Sequence, residues 1–236
     1  MLPLLARVPP RQFPTRGLVG FWDLINVQGD PQTVPSLYGG AYPLQRGATA
    51  GAEASDGAFG ASGWVASGDD YLLSGNLAGV SMAGDWTAVV CGLFNGTTNS
   101  VWSVADGSAT NQYHVVWYSG AASLKIQSND GSATNSANAL TVSATSVSAL
   151  ALVNQAGVLT LHRLDTKTNI THSGKAPTGT PRLGFCVNAR SSLSDIANAS
   201  TVALASFANV AWTEAEIQRA YRAMQAAAAA KGVTVL

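Results

Sequence analysis

From Gly17 to Trp212 short apolar runs alternate with pairs of turn-forming residues, and this rhythm constrains the fold more than any other feature of the chain. The runs include "GLVGFWDL", "AFGASGWVAS", "YLLS", "DWTAVVCGLF", "SVWSVAD", "QYHVVWYS", "ASLKIQS", "VSALALVN", "GVLTLHRL", "PRLGFCVN" and "TVALASFANVAW". Between them stand Asn95-Gly96, Asp106-Gly107, Asn129-Asp130-Gly131 and Ala156-Gly157, pairs able to take the positive φ that tight hairpins require. Within "SLKIQS", Leu124 and Ile126 alternate with Lys125 and Gln127; in "GVLTLHRL", Leu159 and Leu161 alternate with Thr160 and His162. A period of two is the signature of a half-buried strand. The expectation is an all-β protein, an antiparallel β-sandwich over residues 17–212, with no fixed-period repeat and no linker dividing it.

Both ends depart from this rhythm. Residues 1–16 hold Pro3, Pro9, Pro10 and Pro14 among Leu2, Leu4, Leu5, Val8 and Phe13. Prolines so spaced fit neither a helix nor a central strand, so an extended N-terminal arm is expected. Its apolar side chains must be buried, either on the domain's own flank or on a neighbouring subunit, which makes Leu2, Leu4, Leu5, Val8 and Phe13 candidate assembly residues. Residues 213–236 read as a C-terminal helix packed on the sandwich. Thr213 and Glu216 have the spacing of a capping box, and Glu214 and Glu216 favour the positive end of the helix dipole. Ile217, Ala220, Tyr221 and Met224 form an apolar stripe, and Gly232 supplies a stop.

Charge narrows the partners. With 13 basic and 13 acidic residues the net charge is zero, which argues against phosphate or anionic lipid as the source of affinity, so neither nucleic acid nor a membrane is expected as a partner. Between Trp86 and Thr160 the charged residues are Asp106, Lys125 and Asp130 alone. A neutral surface of Ser, Thr, Asn and Gly lacks the repulsion that keeps small domains apart and suits a chain packed against others. The apolar run in "MLPLLARVPP" is too short and too rich in proline for a secretory signal or a spanning helix. Cys91 and Cys186 sit within apolar runs and are expected as buried free thiols.

Catalytic chemistry finds little support. A retaining glycosidase needs two carboxyl groups about 5 Å apart. Of the three glutamates, Glu214 and Glu216 are explained by the helix start, and Glu53 has only Asp56 nearby. His114, His162 and His172 belong to no recognisable metal or triad motif, although His162 and His172 have the spacing to face each other across a hairpin. No enzyme activity, cofactor or metal is expected. Trp22, Trp86, Trp102, Trp117 and Trp212 stand beside apolar neighbours and read as core. Trp64, among turn residues in "ASGWVASGDDY", is the candidate binding aromatic, with Asp69, Asp70 and Tyr71 as candidate ligand-binding neighbours.

The order of these segments resembles the laminin G-like and pentraxin-like branch of the concanavalin A-like lectin/glucanase jelly rolls. "GLVGFWDL" resembles the opening strand of such domains and "DWTAVVCGLF" the strand that begins their central sheet; "SALALVNQAGVLTLHRLDTKT" is similar to a pair of later strands. "VALASFANVAWTEAEIQRAY" resembles the closing strand and helix. The likeness runs from about Gly17 to Tyr221 and implies a jelly roll. The family's "VDG" turn is replaced here by "HRLDTKT", and no acidic cluster with calcium spacing is present, which removes the expected basis for a calcium-dependent sugar site. A jelly roll without a catalytic set, a charge-poor surface and an apolar arm together suggest a non-catalytic virion surface protein. Such a protein would be a phage head-decoration, head-fibre or tail-associated subunit, assembled in the host cytoplasm. Its expected partners are other virion proteins and copies of itself, as a trimer or larger closed assembly. The alternative is a carbohydrate-binding module or adhesin that reads cell-surface glycan.

Overall fold

The structure, a computed structural model, describes residues 12–38, 42–48, 57–66, 70–96, 100–109, 111–132, 134–136, 139–173, 175, 177–190, 193 and 200–236. In chain order the strands are β1 (Leu18–Asp23), β2 (Thr33–Val34), β3 (Leu44–Ala48), β4 (Ala58–Gly60), β5 (Gly63–Val65), β6 (Asp70–Ser74), β7 (Trp86–Phe94), β8 (Ser100–Asp106), β9 (Gln112–Gly120), β10 (Ser123–Asp130), β11 (Thr134–Ser136), β12 (Leu140–Thr141), β13 (Ser148–Gln155), β14 (Val158–Arg163), β15 (Thr168–Ser173), β16 (Pro181–Phe185) and β17 (Ser200–Ala208). Helix α1 (Glu214–Ala229) follows. The strands form two antiparallel sheets. One runs β15-β14-β13-β7-β17-β5-β4, with β1 also on β17; the other runs β11-β10-β9-β8-β16-β6-β3-β2, with β12 also on β10.

The expected all-β sandwich is thus present, and hairpin chemistry explains its local joins. Ala156 and Gly157 both adopt positive φ, 50° and 79°, and close β13 onto β14 in an unbroken register from Gln155↔Val158 to Leu150↔Arg163. Five segments not read as strands in the sequence, β2, β3, β11, β12 and β15, are short or polar, and pair because a neighbour supplies their hydrogen bonds. The run "AFGASGWVAS" is a hairpin, with β4 and β5 on either side of Ala61 and Ser62.

The main core lies between the sheets, around Trp22, Trp64, Trp86, Trp102, Phe94, Phe185 and Phe207. Strands β7, β13 and β17 are buried along nearly their whole lengths, inward- and outward-facing side chains alike. The eight-stranded sheet is therefore covered on both faces, its outer face by α1 through Ile217, Ala220, Ala223 and Met224 against Val89, Cys91, Ala149 and Ala151. Both cysteines are free and buried, and burial pushes both thiols far above their usual range. The helix starts as read: Thr213 accepts from the Glu216 amide, while the Glu216 carboxylate accepts from the Thr213 amide at 2.8 Å. It ends at Ala229, ahead of Gly232 at φ 76°.

The described end of the arm packs on its own domain. Phe13 is buried, edge-on to Phe21 at 4.9 Å and to Trp212 at 5.8 Å. Arg16 donates from Nε to Glu216 Oε1 at 2.8 Å and from Nη2 to Glu216 Oε2 at 2.7 Å, and the Trp212 indole donates to the Arg16 carbonyl. The helix start therefore latches the chain entering β1. Leu2, Leu4, Leu5 and Val8 lie outside the described residues.

Candidate functional site

The four residues expected to bind ligand do not assemble into one site. Trp64 stands on β5 in the eight-stranded sheet, and its side chain is wholly enclosed in the intersheet core. A Cβ added at Gly57 would lie 2.4 Å from its indole nitrogen, so backbone as well as side chains closes over the ring. Turn residues flank Trp64 in the sequence because a hairpin carries it, yet that hairpin lies over the other sheet, and no face of the ring is open to a sugar. Asp70 and Tyr71 belong to the opposite sheet, where alternation along β6 turns Asp70 inward to burial and leaves Tyr71 half-buried on the outer face. Asp69 lies outside the described residues. The histidines are also separated. His162 pairs with Asn169 and faces the helix start, 3.9 Å from Glu214, whereas His172 pairs with Leu159, is buried, and contacts Ser128 Oγ at 3.2 Å.

The outer face of the nine-stranded sheet is the one α1 leaves open, and its composition follows from the registers. Lys125 on β10 stands opposite Trp117 on β9, Gln127 opposite Val115, and Asn129 opposite Tyr113. The next pairs inward are Ser103 with Val115 and Ala105 with Tyr113, then Arg182 with Ala105 and Gly184 with Ser103. Leu73 and Tyr71 on β6 continue the face toward Gln45 and Gly47 on β3. A Cβ at Gly47 would fall 2.5 Å from the Tyr71 hydroxyl, so the tyrosine ring lies flat across β3 in the space glycine leaves.

A strap crosses the middle of this face. After β16 the chain turns at Cys186, φ 61°, and residues 187–190 fold back over the sheet. Val187 and Ala189 sit over Gly184, where an added Cβ would be 2.7 Å from either side chain. The Ser103 hydroxyl donates to the Val187 carbonyl at 2.9 Å and accepts from the Ala189 amide at 2.8 Å. Arg182 donates to the carbonyls of Ala189 and Arg190, at 2.6 and 2.7 Å. Burial holds the Arg182 guanidinium below its ordinary pKa, with Tyr71 and Asp106 partly offsetting the shift. The Arg190 guanidinium lies over the Tyr113 ring at 5.6 Å. The strap leaves one aromatic flank at Tyr71 and Leu73 and another at Tyr113 and Trp117.

Trp117, expected in the core, is half-buried and outward, so the roles of Trp64 and Trp117 are exchanged relative to the sequence reading. Lys125 stands opposite Trp117 on β10, and at the hairpin end of the two strands the Ser119 hydroxyl donates to the Ser123 hydroxyl at 3.1 Å. An aromatic plane with a lysine and hydroxyls beside it on regular strands has groups that can hold a polyhydroxylated ligand. Among the described residues no group of three or more His, Cys, Asp or Glu is placed to hold a metal ion. Several carboxylates have structural roles: Asp30 accepts from Arg46, Asp85 from the Ala156 amide, Asp106 from Ser108 and Asp165 from Arg163. The facing of Trp117 is set by strand pairing. "QYHVVWYS" is apolar at both parities, but the hairpin to "SLKIQS" places it opposite Lys125, and thus outside.

No family model and no curated protein matches the sequence. Solved structures do match. Trypanosoma rangeli sialidase aligns at TM-score 0.65 with 11% identity over 87% of this chain and 32% of that chain. The same sialidase in complex with sialic acid gives TM-score 0.64, 13% identity, and 87% and 33% coverage. The botulinum neurotoxin serotype C1 binding domain gives TM-score 0.62, 6% identity, and 89% and 52% coverage. The chain thus spans about a third of the sialidases and about half of the neurotoxin domain. At these identities the likeness is one of fold alone, an antiparallel β-sandwich.

Proposed function

We propose that this chain is a non-catalytic recognition module that binds carbohydrate on the outer face of its nine-stranded sheet. The observation that carries the reading is Trp117, a partly exposed indole held on a regular strand with Lys125 directly opposite, on the face the helix leaves open. A rigid aromatic plane stacks on the apolar face of a sugar ring, while neighbouring ammonium, amide and hydroxyl groups take its hydroxyls. The fold likeness to a sialidase and to a toxin binding domain supports a lectin-like scaffold, and the structural roles of the described carboxylates favour binding over hydrolysis. The test is a glycan array followed by calorimetry on the best ligand, using the wild type and Trp117→Ala. Loss of one stacking ring should weaken binding about tenfold, near 1.4 kcal/mol. A silent array with folded protein, or undiminished binding by a folded Trp117→Ala chain, would overturn the reading.

The setting we propose is the surface of a virus particle, as a head-decoration, head-fibre or tail-associated subunit. This second reading rests on the charge-poor Ser/Thr/Asn surface and the apolar, proline-rich residues 1–11 that lead into the anchored Phe13. Particles disrupted and fractionated should yield the chain in stoichiometric amount. Its absence from purified particles would remove the setting while leaving the glycan reading intact.

A further inference from the structure

Among the described residues, the outer face of the nine-stranded sheet carries three cations, Lys125 on β10, Arg182 on β16 and Arg190 on the strap. The described acids of the same strands, Asp70, Asp106 and Asp130, share the inward parity of Leu72, Val104 and Ile126. The outward face is therefore positive, although the chain as a whole is neutral. Two of the three cations have structural positions: Arg182 donates to the Ala189 and Arg190 carbonyls, and Arg190 lies over the Tyr113 ring. Lys125 differs. Its ammonium enters no hydrogen bond, ion pair or cation–ring contact with the described residues.

Trp117, directly opposite Lys125, is similarly unengaged. Its ring is in no aromatic stack, and its indole N–H has no acceptor yet is not sealed from solvent as that of Trp102 is. Gln127, the next outward residue on β10, has no side-chain partner either. A ring, a cation and an amide without partners thus lie on adjacent outward positions, 117, 125 and 127. Lys125 is also the one lysine or arginine between Trp86 and Thr160, and it stands mid-strand, where lysine is disfavoured.

We propose that the saccharide taken by this face is anionic: a carboxylate or sulfate is held by Lys125 while the sugar ring that bears it stacks on Trp117. The inference rests on the glycan reading of Trp117 and adds its ligand class, with Lys125 as the residue that sets acidic above neutral sugars. An ammonium is a compact point charge without the fixed fork of a guanidinium, so carboxylate and sulfate suit it alike. A neutral sugar stacked on Trp117 would displace water from beside the ammonium and return no charge, whereas an acidic one makes a charge-assisted hydrogen bond. No described carboxylate faces outward to repel the anion or to compete for the lysine.

The test is calorimetry on the full chain with three oligosaccharides of one backbone: uronic acid, its methyl ester and a sulfated form. Wild type should bind the acid about fivefold tighter than the ester, the upper range for a solvent-exposed ion pair. The gap should narrow as salt is raised. Lys125→Gln should close the gap by lowering affinity for the acid to that for the ester, and Lys125→Arg, which keeps the charge, should preserve it. Lys167→Gln makes the same change in net charge in the turn between β14 and β15 and should leave the gap intact. A sulfated form that binds tighter than the uronic acid and depends on Lys125 supports the proposal with sulfate as the anion. Acid and ester bound equally by wild type, or a gap that persists in a folded Lys125→Gln chain, overturns the inference and leaves the glycan reading standing. Binding of none of the three, together with a silent glycan array, overturns both.

Discussion

Replacing Trp64 by alanine separates a core role from a ligand-binding one. The indole is fully enclosed between the sheets, and its strand is paired to Phe59 on one side and Val202 on the other. A buried tryptophan removes about 150–250 Å² from water, which at ~25 cal/mol/Å² gives an upper figure of roughly 4–6 kcal/mol. Truncation to alanine in well-packed cores costs about 3–5 kcal/mol, because the cavity relaxes only in part. A domain of ordinary stability, about 5–15 kcal/mol, would lose a large share of it. At this chain length the melting temperature should fall by roughly 6–20 °C. Urea denaturation followed by far-ultraviolet circular dichroism measures the change, and Trp64→Phe, which keeps an aromatic ring in the space, should lose about half as much. Trp117→Ala is the counterpart, expected to cost clearly less than Trp64→Ala, since its side chain is only partly buried on the outer face. A Trp64→Ala chain that melts within about 2 °C of wild type while losing glycan binding would refute the enclosure argument and restore Trp64 as a ligand residue.

Three further outcomes follow from particular contacts. The hydrogen bonds from Arg16, with the Thr213 cap, hold the Glu216 carboxyl down from 4.5 to about 2, so its contribution to stability is complete above 4.5 and disappears as pH falls toward 2. Glu216→Gln should therefore be less stable than wild type at pH 7, with the gap closing by pH 2, as read by denaturant titrations across that range; a constant gap would mean the latch does not depend on charge. Burial, aided by His172, pushes His114 from 6.5 down to about 3, so the unfolded chain binds a proton below pH 6.5 that the folded chain refuses, and stability falls over that window. His114→Phe should flatten this part of the stability profile, and an unchanged slope would place the acid sensitivity elsewhere. Finally, Gly63→Ala should cost about 3 kcal/mol or more, because φ is +120° and the new Cβ would lie 2.3 Å from the Val202 carbonyl oxygen, whereas Gly157→Ala, at φ +79° with open space, should cost about 1 kcal/mol in thermal melts.

Some of this was legible in local sequence because its physics is local. The Thr213–Glu216 box marks the helix start, since the groups that satisfy one another are three residues apart. Ala156-Gly157 makes its hairpin because positive φ is a property of those two residues. Even the placement of α1 was written in β7, β13 and β17, whose runs are apolar at both parities, as a sheet covered on both faces demands. The exchange of Trp64 and Trp117 was not local. Each lies on a strand with two possible facings, and the choice depends on which sheet the strand joins and which neighbour it pairs with. β15 escaped notice because Thr, Asn and Ser carry no apolar alternation; β14 supplies its hydrogen bonds. The strap is likewise tertiary, since Ser103 and Arg182 hold it only once β8 and β16 lie side by side. Sequence by itself determined the class of fold, its turns and its helix, all settled by neighbours along the chain. Which side chains face water was decided by register between distant strands, and that decision moved the candidate binding surface from Trp64 to Trp117.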